Sequence, residues 1–193
     1  MPSSMPHLIV AKKIIPNANI DFYMGTLAPD AVKERTEKEK VHFAYVSDIE
    51  NALKAFSLKA DNDYLKGFLL HLYTDWKWNT THLSDFINKT NGSWYPAYRE
   101  EIGKVTAYAF HNTEWAHSLY EELEFWDFNG FVETEFITKD SIKEWIGRSK
   151  KWRIENKREP SLAFPPTLIE TFTNNTASDF IKWFSESVDK PSA

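Results

Sequence analysis

The chain contains no cysteine. Disulfides, thiolate metal sites and cysteine nucleophiles are therefore excluded, and any bound metal must be held by histidine, carboxylate, backbone or water, which favours hard to borderline ions. Glycine is scarce, six in 193 residues, which argues against a turn-rich β protein. An excess of basic charge is also missing: Lys and Arg number 23 against 28 Asp and Glu, for a formal net charge of -5. A nonspecific grip on nucleic acid needs a basic surface that displaces counterions, so the sequence carries no strong nucleic-acid signal. No stretch approaches the roughly 20 apolar residues of a membrane span. Leu8-Ile9-Val10-Ala11 is too short for a signal-peptide core and is cut off by Lys12-Lys13, so a cytoplasmic location is expected. Glycine-rich phosphate loops, a Gly-x-Ser-x-Gly elbow and an adjacent His-Asp pair are absent too.

What is present is apolar and aromatic bulk. Hydrophobic residues make up 42% and aromatics 16%, with eight tryptophans, enough to bury one sizeable core in a single all-α domain. Ser3 or Ser4 can cap a first helix running to about residue 13, with His7 in its first turn. Residues 16–19 read as a loop and 22–30 as irregular, with Pro29 opening a short helix or turn that places Asp30. The charged run 33–40 reads as a solvated loop or helix face, and 48–59 as a helix. Asp61 or Asn62 caps a long central helix through about Trp78, extending as far as Phe86. A further helix is expected over 104–126, then two more over 139–158 and 168–188, both assigned to packing.

The informative pair is His71 and Asp75, four positions apart in an apolar helical segment. Four residues along a helix bring two side chains to one face about 6 Å apart along the axis, where they can share an ion or simply hydrogen-bond. Upstream, His7, Asp30 and His42 offer three more donors. One ion could take Asp30, His42, His71 and Asp75, and a second could take His7 with Asp75 as the bridge. If the central helix stays continuous, His82 lies on the same stripe about 16 Å beyond His71 and could serve a neighbouring ion. His117-x-x-x-Glu121 is another i, i+4 pair, with His111 on its flank.

The segments Met5-Pro6-His7-Leu8, Gly25-Thr26-Leu27-Ala28-Pro29-Asp30-Ala31, Val41-His42-Phe43 and Gly67-Phe68-Leu69-Leu70-His71-Leu72-Tyr73-Thr74-Asp75 together resemble the zinc-dependent bacterial phospholipase C proteins, which are related to single-strand-specific zinc nucleases. The likeness covers about residues 1–125. It implies an all-helical fold around one to three zinc or similar divalent ions that hydrolyse a small-molecule or lipid-derived phosphate ester. By motif, Asp30, His42, His71 and Asp75 would bind the first ion and His7 with Asp75 another. His82 with His117 and Glu121 would complete the remaining site, with His111 competing for the place of His117. The resemblance also suggests Asp30 as the group that orients or deprotonates the attacking water. Secreted members use a processed N-terminal tryptophan beside the leading histidine, whereas here Pro6 precedes His7.

Two other readings compete. Glu39-x-x-His42 and Glu114-x-x-His117 have the spacing of ferritin-like dimetal carboxylate bundles, although that reading leaves His71 and Asp75 unexplained. A non-catalytic helical protein stapled by a closed structural metal is the other.

Overall fold

The computed structural model describes residues 3–90, 92–156 and 159–188. Among the described residues it is all-helical, with no strand. The helices are α1 (Ser4–Ile14), α2 (Ile20–Leu27), α3 (Arg35–Val41), α4 (Ile49–Ser57), α5 (Asp63–Trp78), α6 (Ser84–Lys89), α7 (Trp94–Asn112), α8 (Ala116–Glu124), α9 (Lys139–Glu155) and α10 (Pro166–Val188). A 3-10 turn, Ala28–Ala31, follows α2, and a π-helical turn, Asn79–Leu83, joins α5 to α6. No helix among the described residues is long and apolar enough to cross a membrane.

Local chemistry accounts for most boundaries. The Asn62 side chain accepts from the Leu65 amide at the start of α5, and Asp48 does the same for Asn51 at α4. Thr138 and Ser141 form a reciprocal capping box on α9. The expected end of that helix at Arg158 lies outside the described residues. The connection into α10 is held by Glu101, whose Oε2 accepts from Ser161 Oγ and from the Leu162 and Ala163 amides at 2.7, 2.9 and 3.0 Å.

Three sequence expectations are corrected. Residues 22–30 are not irregular: Asn19 accepts from the Asp21 amide and starts α2, which continues to Leu27 before the Pro29 turn. The helix expected over 104–126 is two helices, α7 beginning at Trp94 and α8 beginning at Ala116. The break follows Asn112, whose side chain bonds the Tyr108 carbonyl at 2.9 Å, and Thr113, which is extended. The central helix does run on past Trp78, but through a π turn in which Thr80 and Thr81 hydroxyls donate back to the Trp76 and Lys77 carbonyls. A π turn carries about one extra residue, so everything beyond it is rotated by roughly 100° from the α5 stripe.

The main core is built on α5, with Tyr64, Leu69, Leu70 and Tyr73 almost completely buried against Met5, Leu8, Met24 and Leu27. A smaller cluster, with Trp78, Tyr98, Ile102 and Phe172, packs the far end, where Trp78 Nε1 donates to Tyr98 Oη at 2.8 Å. The crossing of α2 and α5 is unusually close because glycines face backbone from both sides. A Cβ on Gly25 would run into the Tyr64 carbonyl, and one on Gly67 into the Phe22 carbonyl and, at 2.8 Å, the Thr26 amide.

This contact decides the sign of a helix substitution. Alanine is intrinsically favoured over glycine in a helix by about 1 kcal/mol, and Gly147 on α9, with nothing within 4 Å of an added Cβ, should yield that gain in urea unfolding of Gly147→Ala. Gly67→Ala should instead lose ~3 kcal/mol or more, because rigid backbone cannot give way as a side chain would. Equal midpoints for the two variants would contradict the close crossing.

Candidate metal centre

Four elements supply the five donors of the centre. His7 lies on α1, Asp30 in the 3-10 turn, His42 at the C-terminus of α3, and His71 and Asp75 on α5. α3 stops there because Phe43 adopts a left-handed conformation, φ 56, which a phenylalanine takes only against a steric penalty.

Two imidazoles are oriented by backbone. His71 Nδ1 lies 2.8 Å from the Thr26 carbonyl and His42 Nδ1 2.7 Å from the Lys38 carbonyl. A carbonyl oxygen only accepts, so both Nδ1 atoms carry the proton and both Nε2 atoms present lone pairs. Those two Nε2 atoms are 3.1 Å apart. Two facing lone pairs at that distance need a cation between them, either a proton or a metal ion.

Asp75 completes the arrangement. Its Oδ2 is 3.4 Å from His71 Nε2 and 3.5 Å from His42 Nε2, and its Oδ1 is 3.2 Å from His7 Nε2. Neither oxygen receives a hydrogen bond in proper geometry, although the residue is 3% exposed. A buried carboxylate without donors is strongly unfavourable unless a counter-ion sits against it. Both nitrogens of His7 are likewise buried without a hydrogen bond in proper geometry, its ring stacked 3.9 Å from that of His71. Asp30 Oδ1 stands 3.9 Å from His42 Nε2.

The donors form two overlapping groups, His7 with His71 and Asp75, and Asp30 with His42 and His71. His71 has one lone pair and can serve one ion only. The donor set of nitrogen and oxygen fits zinc and its neighbours, and the orphaned Asp75 and His7 atoms are the observation that supports the fit.

Charge within the centre is coupled. Burial pushes Asp75 up, but His71 and His7 together hold it well below the usual carboxylate range. Burial also lifts Asp30, and Lys38 with the three histidines outweighs it and lowers the group. His42 is lowered to about 4, chiefly by burial, which the attraction of Asp75 and Asp30 does not offset. His7 is lowered by burial and by His71. His71 moves the other way: burial lowers it, yet Asp75, Asp30 and the Thr26 carbonyl raise it overall.

Sequence reasoning missed Lys38. Its Nζ is 2.6 Å from Asp30 Oδ1, with the lysine side chain 28% and the aspartate 14% exposed. In the run 33–40 it looks like one more solvated charge, and its position four residues before His42 was the available signal.

The remaining expected donors are not gathered with these. His82, turned by the π segment, sits against Trp78 and Phe172 with ring centroids 4.9 and 5.3 Å away. His111 on α7 places Nε2 3.0 Å from the Arg153 carbonyl. His117 on α8 is exposed and packs its ring on Phe110, and Glu121 is exposed in a shallow surface cleft with Phe125 and Trp126. None of the four belongs to either donor group among the described residues.

No protein-family model, curated protein or solved structure matches this chain.

The linkage to pH has a definite sign. Between about pH 6.5 and about pH 4 the unfolded chain takes protons at His7 and His42, and completes the protonation of His71, whereas in the metal-free folded chain His71 already holds its proton and the lowered His7 and His42 resist theirs. The unfolded state binds more protons there, so stability rises with pH across that window. Above it His71 reverses the trend, its contribution being lost as pH climbs through its raised folded value. Thermal unfolding in chelator should therefore show a maximum near pH 6.5 and fall toward pH 4. A flat profile from 4 to 6.5 would refute the coupling.

Proposed function

We propose that this chain is a divalent-metal hydrolase of phosphate esters, with the helical zinc phospholipase C type of fold and zinc as the expected ion. The observation that carries the reading is the convergence of the His42 and His71 lone pairs at 3.1 Å beside the undonated carboxylate of Asp75. A zinc-type ion, when bound, supplies a Lewis acid and lowers the pKa of a coordinated water to about 7.

The chain's own groups have separable tasks. Asp75 directs one oxygen at His7 and the other at His42 and His71, as a bridging carboxylate does. Asp30 sits at the more exposed edge, where one oxygen is held by Lys38 and the other is available to orient or accept a proton from water. Lys38 retains N–H groups beyond that ion pair and can meet a phosphoryl oxygen at the same edge. The buried side of the centre, His7, His71 and Asp75, excludes bulk water and strengthens these interactions.

A second reading, a structural ion, is favoured by that same burial. The ferritin-like alternative has less behind it: Glu39 is tied to Arg35 and Tyr45, and Glu114 is exposed.

Asp75→Asn should weaken zinc binding by more than the ~10-fold typical of losing an outer partner of a metal site, and abolish hydrolysis of 4-nitrophenyl phosphate and bis(4-nitrophenyl) phosphate. His117→Ala should leave metal content unchanged. Metal analysis of the purified proteins decides the ligand set, since equal zinc in wild type and Asp75→Asn would remove Asp75 from it. Zinc-replete wild type inert on both esters would favour the structural reading instead.

A further inference from the structure

The first turn of α1 collects hydrogen-bond donors that the metal centre does not use. Arg153, projecting from α9, is 3% exposed, and its Nη2 donates to Ser4 Oγ at the first residue of α1. Its Nε and Nη1 are buried without a partner, and no carboxylate pairs with it among the described residues. The guanidinium lies over the rings of Tyr120 and Trp145, 4.7 and 5.9 Å from their centroids. Ser3 Oγ is also buried and unpartnered, and the buried Tyr120 Oη lies beside the Ser4 and Ser149 hydroxyls.

The helix end adds to this set. Ser3 is the N-cap, but its side chain caps no amide, and the first turn holds no acidic residue. The leading amides of a helix have no intrahelical acceptor and carry the positive end of its dipole. Arginine cannot shed its proton, and neither amides nor a guanidinium can accept a hydrogen bond. Cation, dipole and hydroxyls converge on one buried place without any acceptor of opposite charge.

We propose that Arg153, Ser3, Ser4, Tyr120 and the Ser4 and Met5 amides that open α1, Pro6 having no N–H, form a binding site for an oxyanion of the phosphoryl class. The planar fork of arginine matches two oxygens of such a group, and the hydroxyls and amides reach the others. Ser4 and His7 are three residues apart and so neighbours on one face of α1. The anion lies one helical turn from the metal centre. The site goes beyond the hydrolase reading and does not depend on it.

Titration calorimetry on the full chain, kept metal-free with chelator, tests the site separately from any metal chemistry. Inorganic phosphate should bind with one-to-one stoichiometry. Arg153→Lys, Tyr120→Phe and Ser4→Ala should each weaken it ~10-fold, the usual effect of losing one hydrogen bond to a charged group. Tyr120→Phe and Ser4→Ala remove single hydroxyls and decide the matter if the arginine variant fails to fold. Displacement of phosphate by phenyl phosphate assigns the site to a substituted phosphoryl group, and failure to displace it assigns the free ion; either supports the site. Absent binding, unchanged affinity in both hydroxyl variants, or equal binding of chloride would overturn it.

Discussion

The orientation of His71, at the middle of the candidate metal centre, depends on how closely α2 approaches α5. Helix axes usually stand 8–10 Å apart because side chains separate them. Here Gly25 and Gly67 remove the intervening Cβ atoms, each facing the other helix's backbone. Only at that separation does the Thr26 carbonyl come within 2.8 Å of His71 Nδ1. The hydrogen bond then fixes the tautomer, the tautomer fixes which nitrogen keeps its lone pair, and the lone pair faces His42. A packing feature about one helical turn from His71 thus determines what the donors can hold.

α3 is secured differently. It has no fully buried residue and reaches the core only through the partly buried Val41, so apolar packing contributes little to its register against the body. Lys38 makes two of its contacts: the carbonyl orients His42, and the ammonium pairs with Asp30. Both partners are themselves donors of the centre. The position of α3 and the integrity of the centre are consequently one property, and the left-handed Phe43, packed on Phe56, is where the chain turns back after delivering His42.

The legible part of the site was the part encoded by short helical spacing. His71 and Asp75 are four residues apart on a helix that forms as expected, and their convergence follows from helix geometry alone. His7, Asp30 and His42 could be named as donor types at element ends, and the fold brings them to the same place. The rest failed for identifiable reasons. One extra residue in the π turn is invisible to a 100° periodicity, so His82 was placed on a stripe it has left. Asn112 and Thr113 end α7 through side-chain and backbone preferences that a 23-residue apolar pattern obscures, so His111 and His117 stand on different helices, their ring centroids 5.8 Å apart. Arg153 continues the inward stripe of Ile142 and Ile146 on α9; a charge at an apolar position was the signal, and assignment of that helix to packing passed over it.

Burial and charge together limit what can reach this centre. His7, His71 and Asp75 line its closed side, while Asp30 and Lys38 form the edge with measurable exposure. A ligand approaching that edge meets an ammonium before it meets the carboxylate, and a neutral His42, held unprotonated by burial down to about pH 4, lies just behind. A cation must displace Lys38 from Asp30, or bind on the oxygen that Lys38 leaves free, and must also displace the proton that His71 retains more strongly than an ordinary histidine. Both competitions favour a small divalent ion over a monovalent one, since the higher charge better compensates for the loss of the Lys38–Asp30 ion pair and of the His71 proton. Once such an ion is bound, its charge adds to that of Lys38, and the edge becomes one that anions approach more readily than neutral molecules do.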